Sequence, residues 1–337
     1  MAKSEVPGSP SFDRDSVMKD LEEKGYAVIP DVCSAQDCDA YISQYRDWVS
    51  QFEEDDWPSN LHSVIQGYDI GHFENTWNCR LKTKPVFANV WETEKLLTSF
   101  DGVAISFPPE DEKFVIYDTG KAWLHVDQPA ERVGLHGYQG ALYLEEATET
   151  DFCFRVLSGS HKYFNEFFEE FESAARKSRI GHYELNEDDK SWFREKGCVT
   201  TKVPVPKGGM VLWDSRTVHD NCRPEKGRLN SHRWRFVVFV CMTPAKWARA
   251  EDISDKKKVY NHRLMTGHWP SRGINIFGKC DSFNHREIKS PIGDCLPEVA
   301  TTKEAKLLSG VVEYDFEDGD PNGPSWEPVW NENTSFY

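Results

Sequence analysis

The feature that most constrains the fold is a series of short β-rich segments in the middle of the chain. Between about residues 103 and 244 these segments alternate with turn residues, and they read VAISF, KFVIYD, AWLHVDQ, GYQGALYLEEA, DFCFRVLSG, CVTTKVPVP, GMVLWDS and RWRFVVFVCMTP. Closely spaced short strands of this kind predict an all-β sandwich or barrel. A charged stretch at residues 161–196 begins with HKYFNEFFEEFESAARKS, which predicts a helical insert in this core.

The residues before the core predict helices. Residues 1–12 are rich in Ser and Pro, which predicts a disordered tail. Residues 13–24 predict a helix that ends at Gly25, and FANVWETEKLLTSFDG at residues 87–102 predicts another. Residues 13–102 are therefore expected to form a mostly helical N-terminal part.

The residues after the core show little helical or strand periodicity. Residues 245–337 are rich in Gly, Pro, Trp and Asn, and a long irregular segment in a compact protein usually has a function. We expect this extension to lie over the mouth of the core. Residues 13–337 are thus predicted to form one domain, mainly β with flanking helices (α+β).

Charge and apolar content restrict the partners and the compartment. A net charge of −16 repels nucleic-acid backbones and anionic membranes. The longest strongly apolar run, FVVFVCM at residues 236–242, is too short to span a bilayer, and the N-terminus lacks a secretory pattern. The nine cysteines include no CxxC pair, which favours reduced thiols. We expect a cytoplasmic monomer or weak homodimer with a small-molecule partner, and no nucleic-acid or membrane partner.

The segment KAWLHVDQPAERVG places His125 and Asp127 two residues apart in a predicted strand. Residues i and i+2 of a strand face the same side, so the imidazole and the carboxylate are expected to lie side by side. Two buried polar groups need a partner, and a metal ion is one candidate. Similar HxE pairs occur elsewhere, and surface positions are the simpler interpretation for His72/Glu74, His182/Glu184 and His285/Glu287.

A third histidine, His219, follows the predicted strand in GGMVLWDSRTVH. Strands far apart in sequence face each other across a two-sheet barrel. Two histidines and one carboxylate form the facial triad of non-haem Fe(II) oxygenases. A zinc hydrolase uses similar ligands, and a non-catalytic β-sandwich binding module is a third alternative.

Two arginines, Arg233 and Arg235, begin the apolar segment RWRFVVFVCMTP. A buried guanidinium needs an anion, which is either an acidic side chain or a ligand carboxylate. The distal carboxylate of 2-oxoglutarate is a ligand that a planar guanidinium binds through two hydrogen bonds.

Together these segments resemble the phytanoyl-CoA dioxygenase-like family of Fe(II)/2-oxoglutarate-dependent oxygenases. The resemblance covers about residues 15–275 and is carried by KGYAVIPDV, LHVDQ, GYQGALYLEEA, FRVLSGSHK, GGMVLWDSRTVH and RWRFVVFVCMTP. It implies a double-stranded β-helix, or jelly-roll, core that uses Fe(II), 2-oxoglutarate and O₂.

The resemblance also implies roles for individual residues. Three residues would hold the iron: His125, Asp127 and His219. Arg235, rather than Arg233, would bind 2-oxoglutarate, and Gln139 would reach the same cosubstrate. Arg80 and Trp77 would line the mouth of the substrate site.

The reaction that the resemblance implies is hydroxylation of an unactivated C–H bond in a small-molecule metabolite, with release of succinate and CO₂. Desaturation or oxidative ring closure of an amino-acid-like or secondary metabolite is the alternative within the same chemistry. Halogenation is not expected, because Asp127 is present where halogenating relatives have a small residue.

Overall fold

The computed structural model describes residues 12–53, 57–58, 63–110, 122–277, 290–293 and 295–331. Most of the tail predicted at residues 1–12, the predicted strand KFVIYD and the pair His285/Glu287 lie outside these residues. None of the helices within them is long and apolar enough to cross a membrane.

Helices flank a core of short strands. The helices are α1 (Arg14–Lys24), α2 (Ala35–Val49), α3 (Glu74–Trp91), α4 (Phe164–Glu170), α5 (Glu172–Ser178), α6 (Glu187–Glu195), α7 (Ala250–His262) and α8 (Lys303–Leu308). The strands are β1 (Tyr26–Ile29), β2 (Val64–Ile65), β3 (Leu96–Thr98), β4 (Val103–Ser106), β5 (His125–Val126), β6 (Arg132–Val133), β7 (Tyr138–Tyr143), β8 (Phe154–Ser158), β9 (Tyr183–Glu184), β10 (Val199–Val203), β11 (Met210–Asp214), β12 (His219–Asn221), β13 (Arg235–Pro244), β14 (Met265–Thr266), β15 (Ile276–Phe277) and β16 (Val329–Trp330).

Two antiparallel sheets form the core. In the described chain the larger sheet has the order β1-β11-β7-β13-β4-β2, with β3 also paired to β13. The smaller sheet has the order β10-β8-β12-β5-β9. Neighbouring strands are thus distant in sequence, and the predicted jelly-roll fold with flanking helices is confirmed.

Strand alternation decides what each face of the larger sheet contacts. In β11, Val211 and Trp213 pack with Phe154 and Val156 of the smaller sheet, so they lie between the two sheets. The alternate residues of β11 belong to a second cluster that includes buried side chains of α1, α2 and α3. The N-terminal helices therefore cover the outer face of the larger sheet.

The smaller sheet is covered on its outside by the helical insert. Leu124 and Val126, on either side of His125, are buried in one cluster with Phe164 and Phe167 of α4. Because side chains alternate along a strand, His125 faces the opposite way, into the space between the sheets.

The turn after α1 brings the N-terminus close to strand β12. Asp13 caps α1 by accepting a hydrogen bond from the backbone of Asp15, and Gly25 ends the helix with a φ of 86°. A Cβ at Gly25 would lie 2.6 Å from Oγ1 of Thr217, which donates a hydrogen bond to the Gly25 carbonyl. This left-handed, crowded position requires glycine.

The prediction of a helix at residues 87–102 is wrong for the second half of that range. Helix α3 ends at Trp91, and Glu92 then adopts a left-handed backbone conformation with a φ of 53°. Leu96–Thr98 form β3, which pairs with the end of β13. Pairing with a distant strand thus overrides the local helical pattern.

The C-terminal residues contain more regular structure than their sequence pattern suggests. Helix α7 begins where the Asp252 carboxylate accepts a hydrogen bond from the backbone N–H of Arg249. After α7, the short hairpin of β14 and β15 places residues 265–277 against the core, where Thr266 exchanges hydrogen bonds with the backbone of Phe100.

Candidate metal centre

Strand pairing brings the two predicted histidine ligands together. His219 on β12 and His125 on β5 are direct partners in the antiparallel ladder of the smaller sheet. Side chains of directly opposed residues point to the same face, and the two imidazole centroids are 4.5 Å apart. Both rings are buried between the sheets.

Asp127 completes the cluster two residues after His125. Its Oδ1 lies 3.3 Å from Nε2 of His125, and its Oδ2 lies 3.5 Å from Nε2 of His219. One ligand atom from each of the three residues lies within 4.8 Å of the others, which is the size of a metal-binding group. Two imidazoles and one carboxylate on one face match the facial triad that leaves positions open on iron.

Backbone hydrogen bonds orient both histidine rings. Nδ1 of His125 lies 3.2 Å from the carbonyl oxygen of Trp123, and Nδ1 of His219 lies 2.9 Å from that of Thr217. A carbonyl oxygen only accepts, so each Nδ1 carries the proton and each Nε2 keeps a free lone pair. Both lone pairs therefore face Asp127, as metal ligation requires.

The protonation states of the cluster also suit a metal. Burial by itself would raise the pKa of Asp127, but the electrostatic influence of the neighbouring His268 and His125 imidazoles holds that pKa well below its ordinary value. Burial lowers the pKa of His125, and the nearby Asp127 opposes this only in part. The cluster thus presents a carboxylate and a neutral imidazole.

The three residues form part of the wall of a cavity of about 370 Å³ between the sheets. Aromatic side chains make up much of its remaining lining: Trp123, Phe154, Trp213, Phe239, Trp269 and Phe277. A largely apolar cleft with a few polar groups is the usual form of a small-molecule site.

Gln139 and Arg235 both line this cavity from the larger sheet. Nε2 of Gln139 donates a hydrogen bond of 2.8 Å to Oδ2 of Asp127, which orients the carboxylate. Arg235 is buried, hydrogen-bonds Tyr143, and has an Nε without a partner. No carboxylate pairs with it among the described residues, so the guanidinium is available to a ligand anion.

Arg233 lies outside the cavity lining and is already paired. Its guanidinium contacts Glu146 at 2.8 Å and Asp151 at 3.0 Å. Of Arg233 and Arg235, only Arg235 therefore combines access to the cavity with an Nε that has no hydrogen-bond partner among the described residues.

Arg80 and Trp77 occupy the core and do not line the cavity, so their predicted place at the substrate mouth has no support in the geometry. Both side chains are fully buried on α3. The Arg80 guanidinium lies 5.0 Å from the Trp77 ring and 5.3 Å from the Phe100 ring, and burial lowers its pKa to about 10. These cation–π contacts stabilise the buried guanidinium, which has no ion pair among the described residues.

Asp220 and Arg155, which were not among the predicted site residues, fix the backbone next to His125. The Asp220 carboxylate accepts a hydrogen bond of 3.1 Å from the backbone N–H of Trp123 and two bonds from Arg155. The Trp123 ring in turn stacks on His125 at 4.1 Å with an interplanar angle of 9°. Asp220 directly follows His219, and this position next to a predicted ligand is the sequence signal that could have identified it.

We expect Asp220→Ala to weaken metal binding about 10- to 100-fold, because the backbone that orients His125 loses its anchor. Titration with Co(II), followed by its visible absorption, measures this affinity. Asp220→Asn keeps an acceptor for Trp123 and is expected to lose less. Asp188→Ala, an exposed change on α6, is the control. Unchanged Co(II) affinity in Asp220→Ala would show that Asp220 does not position the ligand.

Comparisons with known proteins identify the family and the fold. The model of the Phytanoyl-CoA dioxygenase (PhyH) family matches residues 21–221. The Ava biosynthesis cluster protein O of Aspergillus versicolor is 29% identical over 294 residues, which are 81% of this chain and 91% of that protein. The crystal structure of GlcNAc Inducible Gene 2, GIG2 (DUF1479), from Candida albicans aligns with a TM-score of 0.62 at 14% identity, covering 91% of this chain and 78% of that one.

The family match includes all three residues of the cluster, and the structural match shows the shared fold. The chain therefore belongs to the phytanoyl-CoA dioxygenase family of Fe(II)/2-oxoglutarate-dependent oxygenases.

Proposed function

We propose that this oxygenase hydroxylates an unactivated C–H bond of a small-molecule metabolite, with iron held by His125, Asp127 and His219 and 2-oxoglutarate held by Arg235. The observation that carries the proposal is one cavity whose wall includes both the three-residue cluster and a buried arginine, Arg235, for which the described residues provide no carboxylate partner. When bound, iron and 2-oxoglutarate supply the oxidation: O₂ and the cosubstrate yield succinate, CO₂ and one oxygen atom for the substrate.

The protein residues have three tasks in this reaction. The backbone carbonyls of Trp123 and Thr217 hold the ligand imidazoles as donors of Nε2 lone pairs. Gln139 keeps the Asp127 carboxylate in one orientation. The aromatic lining excludes water and positions the substrate C–H bond, which an ångström of misplacement would put out of reach.

The cavity favours a small metabolite over an acyl-CoA. Arg235 is the sole arginine or lysine among the described lining residues, and it is assigned to the cosubstrate. A coenzyme A thioester carries several phosphate charges, which need basic partners. The relative from Aspergillus versicolor is named as a biosynthesis cluster protein, which supports a role in secondary metabolism for this oxygenase.

The extension after Pro244 is proposed to form part of the cavity mouth within a single domain over residues 13–337. Five lining residues come from it: Gly267, His268, Trp269, Asn275 and Phe277. His268 lies close to the metal cluster, with its Nδ1 3.9 Å from Oδ2 of Asp127.

Anaerobic addition of Fe(II) and 2-oxoglutarate tests the assignment, because bidentate binding of the cosubstrate to iron gives a visible charge-transfer band. A panel of metabolites can then be screened for stimulated succinate release. A zinc hydrolase or a binding module would show neither the band nor succinate.

The mass of the product is expected to exceed that of the substrate by one oxygen atom. As a ligand, Asp127 would take the iron position that a halide would need, so oxygen transfer is the expected outcome. Mass spectrometry of a reaction under ¹⁸O₂ checks this, with a mixture lacking 2-oxoglutarate as the control. Loss of two hydrogens would support desaturation or ring closure instead, and a chlorinated product would contradict the proposal.

A further inference from the structure

The cavity retains negative charge beyond what the proposed iron and cosubstrate use. Besides Asp127, its lining includes the carboxylates of Asp101, Glu184 and Asp220. Asp220 is neutralised by two hydrogen bonds from Arg155. Glu184 and Asp101 form no ion pair with a lysine or arginine in the described chain, but burial raises the pKa of Asp101 despite the opposing effect of the His268 imidazole, so Glu184 is the carboxylate that carries the remaining charge.

Strand pairing places Glu184 beside the metal cluster. Glu184 on β9 is the direct antiparallel partner of His125 on β5. Side chains of such partners stand on the same face about 5 Å apart. Glu184 is exposed, so its carboxylate lies at the open side of the cavity, next to a proposed iron ligand.

Aromatic and apolar groups surround these carboxylates. Trp123 covers His125, and Trp269 and Phe277 line the cavity from the C-terminal extension. Ile180, on the segment that leads to β9, lines the cavity and is 77% exposed. Ring faces attract cations as well as flat apolar groups.

Charge balance then indicates the class of substrate. The charges of Fe(II), 2-oxoglutarate, Asp127 and Arg235 cancel one another when all four are in place. Glu184 remains to face the substrate from the open side of the cavity, and Arg235 is the sole arginine or lysine among the described lining residues. A substrate carboxylate or phosphate would be repelled, and an ammonium or guanidinium group would be attracted.

Building on the proposed function, we propose that the substrate carries an organic cation, such as a protonated amine, on an aromatic or other flat apolar frame. Glu184 receives the cation at the cavity mouth, and the aromatic wall receives the frame. Glu184 is a specificity-determining residue in this arrangement and has no part in binding iron or 2-oxoglutarate.

Three matched probes test the proposal: phenethylamine, phenethyl alcohol and phenylpropionate. Their affinities for the anaerobic enzyme loaded with Fe(II) and 2-oxoglutarate are measured by NMR, from the increase in the relaxation rates of the probe protons on binding. Phenethylamine is expected to bind at least about tenfold more tightly than phenylpropionate, with the alcohol between them. Glu184→Gln should lower phenethylamine affinity about tenfold and leave that of the alcohol unchanged.

Glu195→Gln is the matched control, because it makes the same charge change at an exposed site on α6 outside the cavity lining. It is expected to leave all three affinities unchanged. Equal binding of the amine and phenylpropionate, no binding of any probe, or an unaffected amine affinity in Glu184→Gln would overturn the inference. Absence of the iron–2-oxoglutarate charge-transfer band in the unmodified enzyme would refute the proposed function itself, and this inference with it.

Discussion

Replacement of His219 by alanine is expected to abolish succinate formation and to lower metal affinity by orders of magnitude. Nε2 of His219 is one of three donors in the cluster, and its loss leaves His125 and Asp127 too few ligands to hold iron in an open site. Co(II) titration measures the metal affinity, and circular dichroism checks that the fold is retained. His125→Ala is expected to give the same result.

The control for this prediction is His182→Ala. His182 lines the same cavity, but it is not among the three clustered donors. Its replacement should leave Co(II) affinity near that of the unmodified protein. Full metal binding and turnover in His219→Ala would refute the assignment of the facial triad.

The metal cluster was predictable because it depends on two regularities of β structure. Strand alternation predicts that His125 and Asp127 share one face, and the two side chains do meet there although β5 ends at Val126. A jelly roll then pairs strands that are distant in sequence, and the register sets His219 directly opposite His125. The sequence could suggest that these strands face each other, but only the sheet order shows that β5 and β12 are neighbours.

Features that depend on tertiary placement were not predictable in the same way. Leu96–Thr98 have a helical pattern with their neighbours, and they become a strand because β13 offers an edge. Arg80 was expected at the substrate mouth, whereas here its guanidinium lies in the core beside the rings of Trp77 and Phe100.

The contribution of residues 265–277 to the cavity is another case. Trp269 and Phe277 have no periodic pattern around them, and their place is set by backbone hydrogen bonds such as that from Thr266 to the Phe100 carbonyl. Contacts between residues so far apart leave no local signal in a single sequence. The cavity lining from residues 265–277 therefore needs the structure to be identified, whereas the metal cluster can be predicted from short sequence motifs.

Arg235→Ala is expected to weaken binding of 2-oxoglutarate by on the order of 2–4 kcal/mol, which is roughly thirty-fold or more in Kd. The buried guanidinium has no carboxylate partner in the described chain, so its hydrogen bonds are available to the cosubstrate. Anaerobic titration of the iron charge-transfer band measures this Kd without any substrate. Arg235→Lys keeps the positive charge but not the planar guanidinium, so its Kd for 2-oxoglutarate should fall between those of the unmodified protein and Arg235→Ala.

Arg233→Ala is the matched control, because Arg233 begins the same segment two residues earlier and is engaged by Glu146 and Asp151. We expect this change to leave the Kd for 2-oxoglutarate within about threefold, since Arg233 lies outside the cavity lining and its charge is already offset by two carboxylates. The comparison separates a specific contact from the general loss of one positive charge. If Arg233→Ala raised the Kd more than Arg235→Ala did, the anchor would have to be reassigned to Arg233, and the cavity end bounded by Arg235 would need another ligand.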